Sequence, residues 1–154
     1  LGLDFVEKAI VMTVVRNPFD LYVSSYNWWR QIAIFNERLS RFACLVKNMS
    51  FPEFLRSPLG IGRINEHCGF QADWLSGGES CPHIHQLYFE NLEADLKDFL
   101  AEKELISKNQ KDCLCLPWIN KTERKGYQKY YDDSSADLVY EWNKEFIIEN
   151  GYKF

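Results

Sequence analysis

Two periodicities divide this chain into strands and helices. Lys8–Val15 is a run of mostly β-branched residues, apolar on both faces, as a strand in a parallel sheet covered by helices requires. It stops at Arg16-Asn17-Pro18. Pro18 suits the first position of a helix with Asn17 as its N-cap, and Leu21, Val23, Tyr26, Trp29 and Ile32 or Ala33 then recur at helical spacing. That pattern continues, with a break near Phe35-Asn36, to about Lys47, and Ser50-Phe51-Pro52-Glu53 opens a short helix. Ser57–Gly62 reads as a loop, Gln71–Leu75 as a helical turn and Ser76–Pro82 as a connection rich in turn residues. A second strand follows at His83–Phe89. Leu92, Leu96, Phe99 and Leu100 then share one face of a helix over Glu93–Glu104. Leu114–Gln128 has no strong periodicity. Ser134 or Asp133 caps a last helix, Ala136–Asn150, which Gly151 stops in the position of a left-handed C-cap. Strand, helix, strand, helix is the order of an α/β protein, and 154 residues suit one domain over 1–154.

Composition narrows the classes of function. The formal net charge of -4 argues against general attraction to nucleic acid or anionic membrane, so any anion site must be local. The longest apolar stretch, Ala9–Val15, falls far short of the roughly 20 residues that span a bilayer, so no membrane segment is expected. Cys44, Cys68, Cys81, Cys113 and Cys115 form no regular framework and favour a reducing compartment. Cys113-x-Cys115 reads as packing. His67, His83 and His85 with Cys68 and Cys81 have no recognised zinc spacing, so no metal is expected. Trp28, Trp29 and Trp118 read as packing aromatics. The first residue is Leu, and a strand pattern begins within ten residues of it, so the sequence reads as part of a longer chain.

Two stretches could carry chemistry. In the first, Arg16 stands at the carboxyl end of a strand, where open α/β sheets put their ligands, and the following helix directs its amides to the same place. Ser24, eight residues on and two turns along that helix, can reach the same crevice; the plainer alternative pairs Arg16 with Asp20 and leaves Ser24 to packing. The second stretch is Asn120–Lys129, with four cations against one acid in an acidic chain. Arg124 offers a planar fork, Lys125 a point charge, and Gly126 a close approach of backbone amides to a phosphate. A solvated basic loop is the alternative there.

Together these stretches resemble the superfamily of sulfotransferases that use 3′-phosphoadenosine 5′-phosphosulfate (PAPS), closest to its carbohydrate-type branch with bacterial relatives. In that family an Arg ends a strand, a Ser follows eight residues later, and both hold the 3′-phosphate; Arg16 and Ser24 match. Arg124-Lys125-Gly126 is similar to the family's Arg-Lys-Gly, which closes on the same phosphate. Tyr88-Phe89-Glu90-Asn91-Leu92 then Asp95 resembles an element whose aromatic residue contacts adenine, a role that falls to Phe89. Gln71-Ala72-Asp73-Trp74-Leu75 is similar to a Gln-x-x-Trp-Leu stretch of that branch, and Gln71, Trp74 and the neighbouring His67 are expected along an acceptor cleft. Leu116–Lys121 and the segment from Tyr130 to Tyr152 look like its C-terminal part.

The resemblance implies a nucleotide-kinase-like parallel sheet flanked by helices, PAPS as donor, PAP as product and a carbohydrate hydroxyl or amine as acceptor. It implies a cytoplasmic protein in bacteria or a Golgi-lumen enzyme in eukaryotes. The family's Pro-Lys phosphate loop is not in the sequence, and its general base, a His or Glu, lies between that loop and the strand ending in Arg16; no catalytic residue is therefore named. A first strand missing from the sheet would leave an edge open to a second copy. A non-enzymatic interaction module on this scaffold and a nucleotide or sugar kinase relative remain alternatives.

Overall fold

A computed structural model describes residues 10–32, 40–58, 71, 84–117 and 124–154. The chain divides into two compact units, one of Leu1–Arg16 with Trp74–Lys121 and the other of Asn17–Asp73 with Thr122–Phe154. The protein is mixed α/β, with a small parallel sheet and helices.

In the first unit, strand β1 (Val11–Val15) pairs in parallel with β2 (Ile84–Tyr88), in a register that runs from Val11 opposite Ile84 to Val15 opposite Tyr88. A 3-10 turn, Phe89–Asn91, ends β2 and leads directly into a helix (Leu92–Glu102) that packs back on it. Asp95 in that helix accepts from the Tyr88 amide at 2.9 Å, and Phe99 lays its ring 4.2 Å from the His85 imidazole. Strand end and helix start are thus tied together. The helix stops two residues earlier than the sequence suggests: Glu104 takes a left-handed φ of 55°, and the chain turns away.

A short helix the periodicity does not announce, Lys108–Cys113, then begins at Ser107. Its capping box is complete, with Ser107 Oγ accepting from the Gln110 amide and Gln110 accepting from the Ser107 amide. Lys111 bonds Asp98 at 2.7 Å, and Glu93 accepts from the Leu116 amide at 3.1 Å.

β1 departs from the expectation of a strand covered on both sides. Val15 is buried, but Ile10, Met12 and Val14 are 51%, 41% and 40% exposed. The parallel register puts Met12 and Val14 on the side of His85 and Leu87, and the helix that covers this side is joined to β2 and packs on β2. Cys113 and Cys115 are exposed as well, which overturns their reading as packing residues.

The second unit is built around helix α1 (Pro18–Ile32), with α2 (Ser40–Lys47) and α3 (Phe51–Arg56) following it in the chain. Phe19, Tyr22, Val23, Tyr26 and Trp29, recurring every three or four residues, put one face of α1 into the core with Val46, Phe51, Phe54 and Leu55. Trp29 is buried as expected, while Trp28 lies half-exposed, edge-on to it at 4.9 Å. The α3 helix starts in a capping box of Ser50 and Glu53, and hydrogen bonds from Ser50 hold the Glu53 carboxyl below its usual range. Tyr26 donates from its hydroxyl to the Met49 carbonyl at 2.6 Å.

The C-terminal segment closes this core. A 3-10 turn at Tyr127–Tyr130 precedes α4 (Asp133–Trp142) and α5 (Lys144–Glu149), whose Val139 and Ile147 enter the core. Where one helix over Ala136–Asn150 is expected, the chain bends at Asn143. Its side chain turns inward, donating to the Val139 carbonyl at 2.9 Å and to the Tyr22 hydroxyl at 3.0 Å. The cap of α4 is Asp132 rather than Ser134 or Asp133, because Asp132 Oδ1 accepts from the Ser135 amide at 2.7 Å. Gly151 has the expected left-handed φ of 66°. No helix among the described residues is long and apolar enough to cross a membrane.

The Asp132 cap sets a pH dependence. Hydrogen bonds from Ser135, helped by Arg56, hold the Asp132 carboxyl down at about 2, against an ordinary value of 3.8. A carboxylate whose folded value is depressed stabilises above its unfolded value and loses that contribution as pH falls through the folded one. The melting temperature is therefore expected to fall between about pH 4 and pH 2, and to fall less in Asp132→Asn, which keeps a capping oxygen without the titration. Thermal melts of both proteins across that range check it; parallel curves would remove Asp132 as a source.

Candidate functional site

The first unit brings together two of the residues singled out in the sequence. One step past the paired Val15 and Tyr88, Arg16 follows β1 and Phe89 opens the turn after β2. The guanidinium lies over the Phe89 ring, 4.0 Å from its centroid. This arrangement follows from the register: parallel strands ending level deliver their next residues side by side. The stacking contributes about 0.5–1 kcal/mol and fixes the plane of a fork that can take two oxygens of one phosphate. One face of Phe89 is therefore taken by a cation, and an adenine would need the other face.

Asn17 follows Arg16 in the chain and belongs to the second unit. Its Oδ1 accepts from the Phe19 amide at 3.0 Å, which makes it the predicted N-cap of α1. Its amide also donates to the Lys153 carbonyl at 3.0 Å and, at 3.4 Å, to the Tyr127 hydroxyl, which itself reaches Lys153 at 3.1 Å. The start of α1 is thereby fastened to the end of the chain.

Four other candidates for the phosphate lie in this second unit. Ser24 is half-buried on α1, one turn after Asp20 and on the same side of the helix. Arg124 donates from Nη2 to Asp20 Oδ1 at 2.6 Å, with only 14% and 21% of the two side chains exposed. The fork of Arg124 therefore stands on the Asp20–Ser24 side of α1. Lys125 is exposed. Gly126 has an ordinary φ of -51°, so no left-handed backbone demands glycine there; a Cβ would stand 3.2 Å from the end of the flexible Gln128 side chain. Tyr131 closes the group by donating to the Phe19 carbonyl at 2.8 Å, and burial pushes its hydroxyl well above the usual range.

The sequence offers Asp20 only as an alternative partner of Arg16; the structure pairs it with Arg124. A separation of 104 positions hid that pair, and an acidic residue in a first helical turn needs no partner to explain it. Gln71 is buried, while His67 and Trp74 lie outside the described residues, as do Cys68, Cys81, His83 and Trp118. His85 is exposed, and among the described residues no group of three or more His, Cys, Asp or Glu could hold a metal ion. No family model, curated protein or solved structure matches this chain.

The triple use of Asn17 makes its replacement informative. Asn17→Ala is expected to cost about 1–2 kcal/mol from the cap alone and more from the freed Lys153 carbonyl. Amide hydrogen exchange should then show lost protection at both Phe19 and Tyr152–Phe154; loss confined to α1 would show that the tie to the C-terminus carries no stability.

Proposed function

We propose that this chain carries the part of a PAPS-dependent sulfotransferase that grips the 3′ end of the donor nucleotide, on a nucleotide-kinase-like fold. The observation that supports it best is the stacking of Arg16 on Phe89 at the carboxyl ends of two parallel strands. A guanidinium held flat by an aromatic ring, where open α/β sheets put their ligands, suits a phosphate with a base beside it. Ser24, Arg124, Lys125 and Gly126 belong to the other unit, and their assignment to the same phosphate rests on the resemblance.

In such a transfer the bond between sulfur and the bridging phosphate oxygen breaks as the acceptor oxygen or nitrogen bonds to sulfur, and the acceptor's proton passes to a base. Charge builds on the sulfuryl and leaving oxygens, so aimed cations and amides do most of the work. Arg16 would contribute by fixing the nucleotide, so that binding energy at the 3′-phosphate holds the sulfur in line with its acceptor. No residue of this chain is assigned as the base. A carbohydrate acceptor is the expected substrate class.

Calorimetry with the protein as its source encodes it tests this reading. Adenosine 3′,5′-bisphosphate should bind at least tenfold more tightly than adenosine 5′-phosphate, which lacks the 3′ group. Arg16→Ala should weaken the bisphosphate by about 2–4 kcal/mol, the order expected when one partner of a charged hydrogen-bonded pair is removed, and leave the monophosphate unchanged. A folded protein that binds neither nucleotide, or does not distinguish them, would overturn the reading and favour an interaction module on the same scaffold.

A further inference from the structure

Arg124 holds a donor that its surroundings leave unused. Nη2 is committed to Asp20 at 2.6 Å, whereas Nη1 is buried and makes no hydrogen bond among the described residues. A buried charged donor left unsatisfied carries its full desolvation penalty, so it calls for a partner. Asp20 could have closed the account by taking both nitrogens in a fork-to-fork pair, the commonest strong geometry for arginine and carboxylate. With Nη1 unbonded, it takes one.

The neighbouring groups do not take Nη1 either. The Tyr131 hydroxyl, close enough to feel both charges, is turned to the Phe19 carbonyl. Asn17 is spent on the Phe19 amide and the Lys153 carbonyl. Asp20 sits in the first turn of a 15-residue helix whose other face is core, so the helix fixes the backbone from which its carboxylate reaches Arg124. An arginine tethered to it is aimed by the helix too.

We infer that Asp20 is a positioning residue: it pins Arg124 through Nη2 so that Nη1 is presented to a phosphoryl oxygen. This rests on the reading above in taking that oxygen to be the nucleotide's 3′-phosphate. The same chemistry would also take free inorganic phosphate, and both are used as probes below. Without Asp20 the guanidinium swings over many rotamers, and the ligand must order it on binding.

Arginine-selective ¹⁵N NMR of the full protein tests the inference, with adenosine 3′,5′-bisphosphate and inorganic phosphate as probes. In the wild type, the Arg124 Nη groups should give separate signals, and added nucleotide should move the Nη1 signal. Asp20→Ala should merge the signals and weaken nucleotide binding by about tenfold, while Asp20→Asn, which keeps an accepting oxygen and guards against misfolding, should stay within about threefold of wild type. In an Arg124→Ala background, Asp20→Ala should cause no further loss. Unchanged or tighter binding in Asp20→Ala, or an equal loss in both backgrounds, would overturn the inference. A shift of Nη1 with inorganic phosphate alone would keep the role of Asp20 and remove the nucleotide reading, and no shift with either probe would remove the role itself.

Discussion

The side chain of Asn17 decides where a strand segment becomes a helix. Its oxygen caps α1 by accepting from the Phe19 amide, and its nitrogen holds the Lys153 carbonyl, so one amide group sets both the first turn of the central helix and the course of the last residues. Everything on α1 takes its position from that first turn. Phe19, Tyr22, Val23, Tyr26 and Trp29 enter the core because the helix begins there, and Asp20 and Ser24 fall on the same remaining side for the same reason. Proline in the next position strengthens the constraint, since it fixes φ where no amide bond is lost.

Much of this was legible in the sequence, and the parts that were not have physical reasons. The β-branched run before Arg16, the Asn17-Pro18 start of α1 and the left-handed Gly151 are local effects, written in neighbouring residues, and they stand as read. The bend at Asn143 goes with a hydrogen bond to Tyr22, 121 positions away, and no periodicity reports such a partner. The helix at Lys108–Cys113 had a usable signal in Ser107-x-x-Gln110, but its six residues carry too little apolar pattern to be noticed. The half-open side of β1 could not be read either, because a strand composed for burial looks the same whether or not a neighbour arrives.

The candidate site divides in the same way. Arg16 at a strand end and Ser24 on the following helix are matters of spacing, and their placement on β1's exit and on α1 follows from it. The partners that aim the cations are tertiary: Phe89 meets Arg16 through the strand register, and Asp20 meets Arg124 across most of the chain. Each arginine is therefore held on one side, Arg16 by the Phe89 ring and Arg124 by the Asp20 carboxylate. Such a preorganised cation loses little freedom when an anion arrives, which is where its advantage over a mobile surface lysine lies.

A crystal structure of the source-encoded protein with adenosine 3′,5′-bisphosphate tests the central claim most directly. The account predicts 3′-phosphoryl oxygens within hydrogen-bond distance of the Arg16 guanidinium, with Phe89 still beneath that guanidinium and the adenine on the ring's other face. A nucleotide seated away from Arg16, or one that binds with its 3′-phosphate in solvent, would contradict it.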